Sequence, residues 1–295
     1  MPPSSYTIKD LELLTGIKAH TLRIWEKRYQ VVKPERTPTN IRYYSDEDLK
    51  KLLNISILNR HGFKISNVAN LPNEELSKKI ISINNKSFDT DSKVEGLIVD
   101  MIEMDEVKFE KDLTKMIINL GFEETFIQVL IPFFEKIGLL WQIGTIYPGQ
   151  EHFMTNLIRQ KMIVAIDGIL PDVQPDKRKT FILYLPEGEL HEIGLLFYSY
   201  IIQKAGHKVI YLGQMVPFED LSKIETTQET HGLVTFITSS LSTEDIDEHL
   251  KRLVDHFGHK KLFVSGLQFK LQDIKLPEQI TLITNVNQLK EELNK

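Results

Sequence analysis

Apolar residues along this chain change their spacing twice, and each change marks a different kind of structure. Near the start they recur every three to four residues in two short runs, the pattern of small amphipathic helices. Thr7, with Asp10 three residues on, predicts a capped helix that runs through Leu14 and stops at Thr15-Gly16. A second helix is expected from about Lys18 to Tyr29, with Leu22 and either Trp25 or Ile24 turned inward. Val31 to Tyr44 holds too much Pro and Thr for a helix and suits a β-wing. Ser45 then caps a helix from Asp46 to about Asn59 with acids in its first turn, where the helix dipole favours them.

A polar stretch, Ser82 to Ser92, reads as a linker or loop. From Val94 to about Leu170 the spacing is helical again, and breaks near Met104-Asp105, Gly121 and Tyr147-Pro148-Gly149 divide it into about four helices, a bundle. Phe122, Phe126, Phe133 and Phe134 fall at helical spacing and are read as core. Beyond residue 177 the pattern becomes that of strands: Phe181 to Leu185, His207 to Leu212, Leu233 to Ile237, Lys261 to Val264 and Ile280 to Ile283. Amphipathic stretches separate them at Ile193 to Ala205, Phe218 to Gln228, Thr243 to Phe257, near Phe269 to Asp273, and Asn287 to Leu293. Alternating strands and helices predict a parallel, doubly wound sheet. The expected fold class is therefore multidomain α and α/β: a winged helix-turn-helix over 1–75, a linker over 76–92, a four-helix bundle over 93–172, and a flavodoxin-like (Rossmann-like) sheet domain over 177–295.

Composition narrows what these parts can do. The chain has 295 residues, 41% hydrophobic and 26% charged, and no Cys. Disulfides, zinc-thiolate sites and iron-sulfur clusters are excluded, and any metal must come with a cofactor or be held by His and carboxylates. No apolar run approaches the roughly 18 residues of a membrane span, and Met1 to Ser5 lacks the features of a signal peptide, so a cytoplasmic protein is expected. The net charge of -5 hides an asymmetry: residues 1–70 hold 12 Lys+Arg against 7 Asp+Glu, leaving the remainder at -10. A basic small domain on an acidic body points to double-stranded DNA as partner of the first part, although a solvated charged face would look the same by charge alone. Two helices joined by a Gly-containing turn can place the second in a major groove. On that helix His20, Thr21, Arg23, Lys27 and Arg28 are the candidate DNA contacts. Trp25 and Tyr29 are better read as core, and Arg28 could instead pair with Glu26 or Asp10.

Leu22-Arg23-Ile24-Trp25-Glu26-Lys27-Arg28-Tyr29 and Asn40-Ile41-Arg42-Tyr43-Tyr44 resemble the MerR family of winged-helix regulators, a likeness covering about residues 4–72. It implies that Arg23 and its neighbours approach bases or phosphates while Arg36, Arg42 and Tyr43 of the wing hold the DNA backbone.

The chemistry of the last third centres on Glu189-Leu190-His191-Glu192-Ile193-Gly194. It places an imidazole at the carboxyl end of a strand, where open α/β sheets bind ligands. The acid two positions earlier can hold the other ring nitrogen. No Gly-x-Gly-x-x-Gly follows the strand, which argues against a dinucleotide. This hexapeptide, with Ser239-Ser240-Leu241 and Ser265-Gly266, resembles the cobalamin-binding domain shared with methionine synthase and corrinoid proteins. The likeness implies His191 as the lower ligand of cobalt. Glu189, Gly194, Ser239, Leu241, Ser265 and Gly266 would surround the cofactor, with the nucleotide tail threading beside Ser239, Leu241 and Gly266. Ser265, where that family has Gly, would narrow the tail pocket. Gly266 would let a flat heterocycle approach backbone. Trp141, separated by nine residues from Glu151-His152, resembles the signature of CarH-type photoreceptor regulators, whose bundle covers the upper face of adenosylcobalamin. Some of those proteins carry His where this chain has Gln142, so a bis-histidine state through residue 142 is not expected, and His152 is the nearby imidazole.

The resemblances together imply a DNA-binding transcription factor, a repressor, controlled by adenosylcobalamin and light through a homo-oligomer, dimer or tetramer, with no catalytic residues. A regulator that keeps the fold for protein contacts without cobalamin, and a corrinoid carrier enzyme, are the other classes the sequence allows.

Overall fold

The computed structural model describes residues 6–37, 41–60, 62–72, 75–76, 79, 90–142, 146–170, 178–227, 229–239 and 242–295. They separate into two compact units, residues 1–157 and 158–295.

The first unit begins with α1 (Ile8–Thr15) and α2 (Ala19–Tyr29). Thr7 and Asp10 form a reciprocal capping box, and Gly16 ends α1 at φ 71°, a left-handed conformation that costs glycine no Cβ clash. A two-residue ribbon, β1 (Glu35–Arg36) paired antiparallel with β2 (Arg42–Tyr43), forms the wing. Its tip, Pro38 to Asn40, lies outside the described residues. α3 (Asp46–Arg60) follows, its first turn held by the Ser45 hydroxyl accepting from the Asp48 amide, and then a single turn, α4 (Ile65–Val68). Leu11, Leu14, Leu22, Trp25, Tyr44, Leu49 and Leu53 are the buried centre. Ile24 is 54% exposed, so Trp25 is the residue of that pair that turns inward.

The helical segment has the expected breaks. α5 (Thr90–Glu103) starts inside the stretch read as linker, of which residues 77–78 and 80–89 lie outside the described residues. α6 (Glu106–Leu120) is capped by Asp105. α7 (Phe122–Thr125) passes through one π-helical turn (Phe126–Leu130) into α8 (Ile131–Gln142), and α9 (Pro148–Asp167) follows. The wide turn sits just before Pro132, which has no N–H to donate and whose ring crowds the carbonyl four residues back. α3 packs on α5, and both are buried nearly all round.

The second unit is a five-stranded parallel sheet in the order β4-β3-β5-β6-β7, formed by β3 (Thr180–Pro186), β4 (Lys208–Val216), β5 (Gly232–Phe236), β6 (Lys261–Ser265) and β7 (Ile280–Leu282). The helices are α10 (Ile193–Lys204), α11 (Phe218–Thr227), α12 (Thr243–Phe257), α13 (Gln268–Leu271) and α14 (Val286–Asn294). α10 packs against α14, while Phe218, Leu221, Ile246, Leu250 and Phe257 of α11 and α12 form a core with Ile182, Tyr184, Leu233, Leu262 and Val264 of the sheet. The order of the strands reverses between β3 and β5. The crevice beyond their carboxyl ends is where such sheets bind ligands.

Candidate functional site

Residues 187–192 leave β3 at that crevice and lead into α10. Glu189 is completely buried and spends both oxygens on the protein. Oε2 accepts from the Thr238 and Ser239 amides at 2.5 and 2.7 Å, just past β5. Oε1 accepts from the Ser239 hydroxyl at 2.9 Å and the His191 amide at 2.9 Å, and lies 2.7 Å from His191 Nδ1. Burial alone would raise the Glu189 pKa. Hydrogen bonds from the His191 ring and amide, and from the Ser239 and Thr238 amides, outweigh it and bring the pKa down to about 2. A carboxylate held charged beside Nδ1 keeps a proton on that nitrogen, so Nε2 carries the lone pair. The His191 side chain is 59% exposed. Among the described residues no group of three or more acids or histidines could hold a metal ion. A single oriented imidazole suits a metal that already sits in a cofactor, and nitrogen is a good donor to cobalt.

The other expected residues around the crevice divide. Ser239 touches His191, its hydroxyl 3.2 Å from Nδ1. Leu241 lies outside the described residues. Ser265 is buried, donates to the Ile283 carbonyl at 2.7 Å and lies 3.4 Å from the Tyr198 hydroxyl, so it is tied into the end of the sheet. Gly194 and Gly266 are glycines for reasons inside the fold. A Cβ on Gly194 would stand 2.7 Å from the Phe236 ring, and one on Gly266, at φ +123°, would stand 2.2 Å from the Ile237 carbonyl oxygen.

In the first unit, Glu151 and His152 open α9. His152 Nδ1 lies 3.2 Å from Glu151 Oε2, and Thr155 donates to Glu151 Oε1 at 3.1 Å. The His152 side chain is 70% exposed. The side chains of Trp141 and Gln142 lie outside the described residues.

On α2, His20, Arg23, Lys27 and Arg28 are exposed and Thr21 is half-buried beside His20. Arg36 is exposed on the wing, and Arg42 and Tyr43 are half-buried. Arg28 stacks over the Tyr29 ring at 5.4 Å. Glu26, suggested by sequence as its partner, instead takes Arg42 at 3.2 Å and the Tyr44 hydroxyl at 3.3 Å. One carboxylate therefore ties the second helix to the wing. Sequence reasoning also gave no role to Glu192, which accepts from Arg159 and Tyr211. It was visible inside the hexapeptide, but its partners lie 33 and 19 residues away and leave no local signal.

Comparison with known proteins agrees with both regions. Residues 6–75 match the MerR HTH family regulatory protein model, and residues 94–165 match the B12 binding domain model. The chain is thus a DNA-binding regulator that carries a MerR-like HTH region and a helical B12-binding region in the same polypeptide. It is similar to the HTH-type transcriptional repressor CarH of Myxococcus xanthus, 26% identical over 86% of this chain and 85% of that one. It is also similar to the repressor CarA of the same organism, 25% identical over 71% of this chain and 68% of the other. Among solved structures, a Methanosarcina barkeri monomethylamine corrinoid protein superimposes with a TM-score of 0.53 at 14% identity, over 67% of this chain and 95% of that one, a likeness of fold alone. Among the described residues no helix is long and apolar enough to cross a membrane.

Proposed function

We propose that this chain is a cytoplasmic transcriptional repressor whose hold on operator DNA is set by adenosylcobalamin and by light. The observation that carries the reading is the Glu189–His191–Ser239 arrangement at the switch point of the sheet, in a chain that also carries a MerR-type module. The chain binds and switches; it performs no catalysis.

His191 would hold the cobalt of the cofactor, with Glu189 and Ser239 orienting its ring, and Gly194, Leu241, Ser265 and Gly266 would belong to the same binding region. Trp141, Glu151 and His152 would be the helical module's own contribution to holding the cofactor. When bound, the cofactor supplies a cobalt–carbon bond that light can cleave. The protein's part is to favour one assembly when the adenosyl group is in place and another when it is gone, which requires different affinity for the two states. His20, Thr21, Arg23, Lys27, Arg28, Arg36, Arg42 and Tyr43 face the DNA, the wing residues contributing affinity and α2 contributing specificity.

Gel filtration of the protein with adenosylcobalamin, in darkness and after green light, read at 280 nm and at a visible wavelength, tests this. A dark homo-oligomer, dimer or tetramer, that dissociates on illumination is expected. The same elution volume in both conditions removes the light switch. Visible absorbance lost on desalting, equally for wild type and His191→Ala, would leave a MerR-type regulator that keeps the fold for protein contacts only.

A further inference from the structure

The segment that carries His191 is braced from outside as well as from Glu189. Gln214 Nε2 donates to the Leu190 carbonyl at 2.5 Å, and the Gly188 amide donates to Met215 Sδ at 3.1 Å. Glu192 Oε1 accepts from Arg159 Nε at 2.5 Å and Oε2 from the Tyr211 hydroxyl at 3.1 Å. The Glu192 side chain is only 11% exposed, so its bond to Tyr211 is partly sheltered, while the Arg159 side chain, 45% exposed, closes the other oxygen from the solvent side. Each residue from 188 to 192 is therefore held, or adjoins one that is held, and the imidazole sits in the middle.

Three of these braces come from β4, and two of them, from Gln214 and Met215, lie where that strand is irregular. Its register against β3 slips between Leu183 and Tyr184 and again between Tyr184 and Pro186. Gly213 lies at φ 79° and Met215 at φ 55°, a left-handed conformation that a side chain adopts at a cost. Such conformations persist where the surroundings over-determine them, and bulges on edge strands re-aim side chains beside functional sites. β4 is one of the two edge strands of this sheet. A bulge that only blunted the edge would have no need to direct Gln214 and Met215 at the one segment that carries the exposed imidazole.

We propose that Arg159, Tyr211 and Gln214 are positioning residues for cobalt ligation by His191, holding residues 188–192 so that the imidazole is oriented before cofactor arrives. The proposal rests on His191 being the cobalt ligand and extends the ligand's support beyond Glu189 and Ser239. Outer partners of a metal-binding histidine commonly change metal affinity by 10- to 100-fold when removed.

The test uses the full chain with Gln214→Ala and, separately, Tyr211→Phe, which removes one hydroxyl and little volume. With adenosylcobalamin, both variants are expected to bind about tenfold more weakly, and their visible spectra to show a larger share of cobalt without a nitrogen ligand. Without cofactor, amide hydrogen exchange in the peptide spanning 187–193 should be faster in both, while the melting temperature stays near that of wild type. Unchanged exchange in both variants overturns the proposal whether or not cobalamin binds. Unchanged spectra and affinity, with wild type showing nitrogen-ligated cobalt, overturn it as well. If wild type retains no cobalamin after desalting, the cofactor reading fails on its own and the exchange measurement still decides the positioning.

Discussion

Glu189 shows how much a single side chain can settle. It carries no solvent-facing surface, yet its two oxygens organise the end of β3, the turn after β5 and the histidine between them. Replacing it with Ala leaves the Thr238 and Ser239 amides without their acceptor, and hydrogen bonds to a charged group are worth about 1.5–3 kcal/mol each. Glu189→Ala should destabilise the second unit by roughly 2–4 kcal/mol at pH 7, read from urea unfolding. The pH dependence has a definite sign. The folded pKa of about 2 lies below the ordinary 4.5, so the stabilisation is whole above about pH 4.5 and disappears as pH falls toward 2. The gap between wild type and Glu189→Ala should therefore close over that interval. A gap that stays constant down to pH 2.5 would mean the carboxylate is not held charged. His191 and Glu189 were legible in the sequence because a strand, a turn and a spacing of two residues put them together. Glu26–Arg42 was not, since the wing had first to fold back against α2.

Among the elements, those bounded by strong punctuation were legible and those shaped by tertiary partners were not. Gly121, Asp105 and Pro148 each end or open a helix through backbone chemistry that acts within a few residues, and the bundle breaks where they stand. The five strands appear in order for a similar reason, since buried parallel strands are short apolar runs. β4, however, continues to Val216 past the expected end at Leu212, because its last turn is fixed by contacts with residues 188–192 and not by alternation. α5 hides another feature. Asp100 is fully buried, with Lys108 of α6 at 2.5 Å from Oδ1 and, among the described residues, no hydrogen-bond partner for Oδ2. Burial pushes its pKa up to about 7 against the pull of Lys108, with Asp112 and Glu103 adding to the rise. An acid whose folded pKa is raised stabilises most while protonated in both states, and that advantage is lost as pH climbs from about 4 to 7. Asp100→Asn should accordingly gain on wild type by roughly 2–4 kcal/mol between those pH values. Parallel stability curves for the two proteins across that range would show that Asp100 is ionised throughout.

At the scale of the whole molecule, charge is segregated: a basic N-terminal region of +5 precedes a body of -10. Cationic contacts to phosphate release counterions, while the acidic body repels the same DNA, so operator binding should weaken steeply with salt. Titrations between 50 and 200 mM salt should give a linear log–log plot, and Arg23→Ala should lower its slope by about one. A salt-independent affinity would place the contacts elsewhere. The boundary between the two compact units falls between Leu157 and Ile158, within α9 and not in a loop. A helix cut there would expose about four carbonyls on one side and four amides on the other, with no cap for either. Separating the two units at that boundary would therefore cost both pieces the helical turn that crosses it.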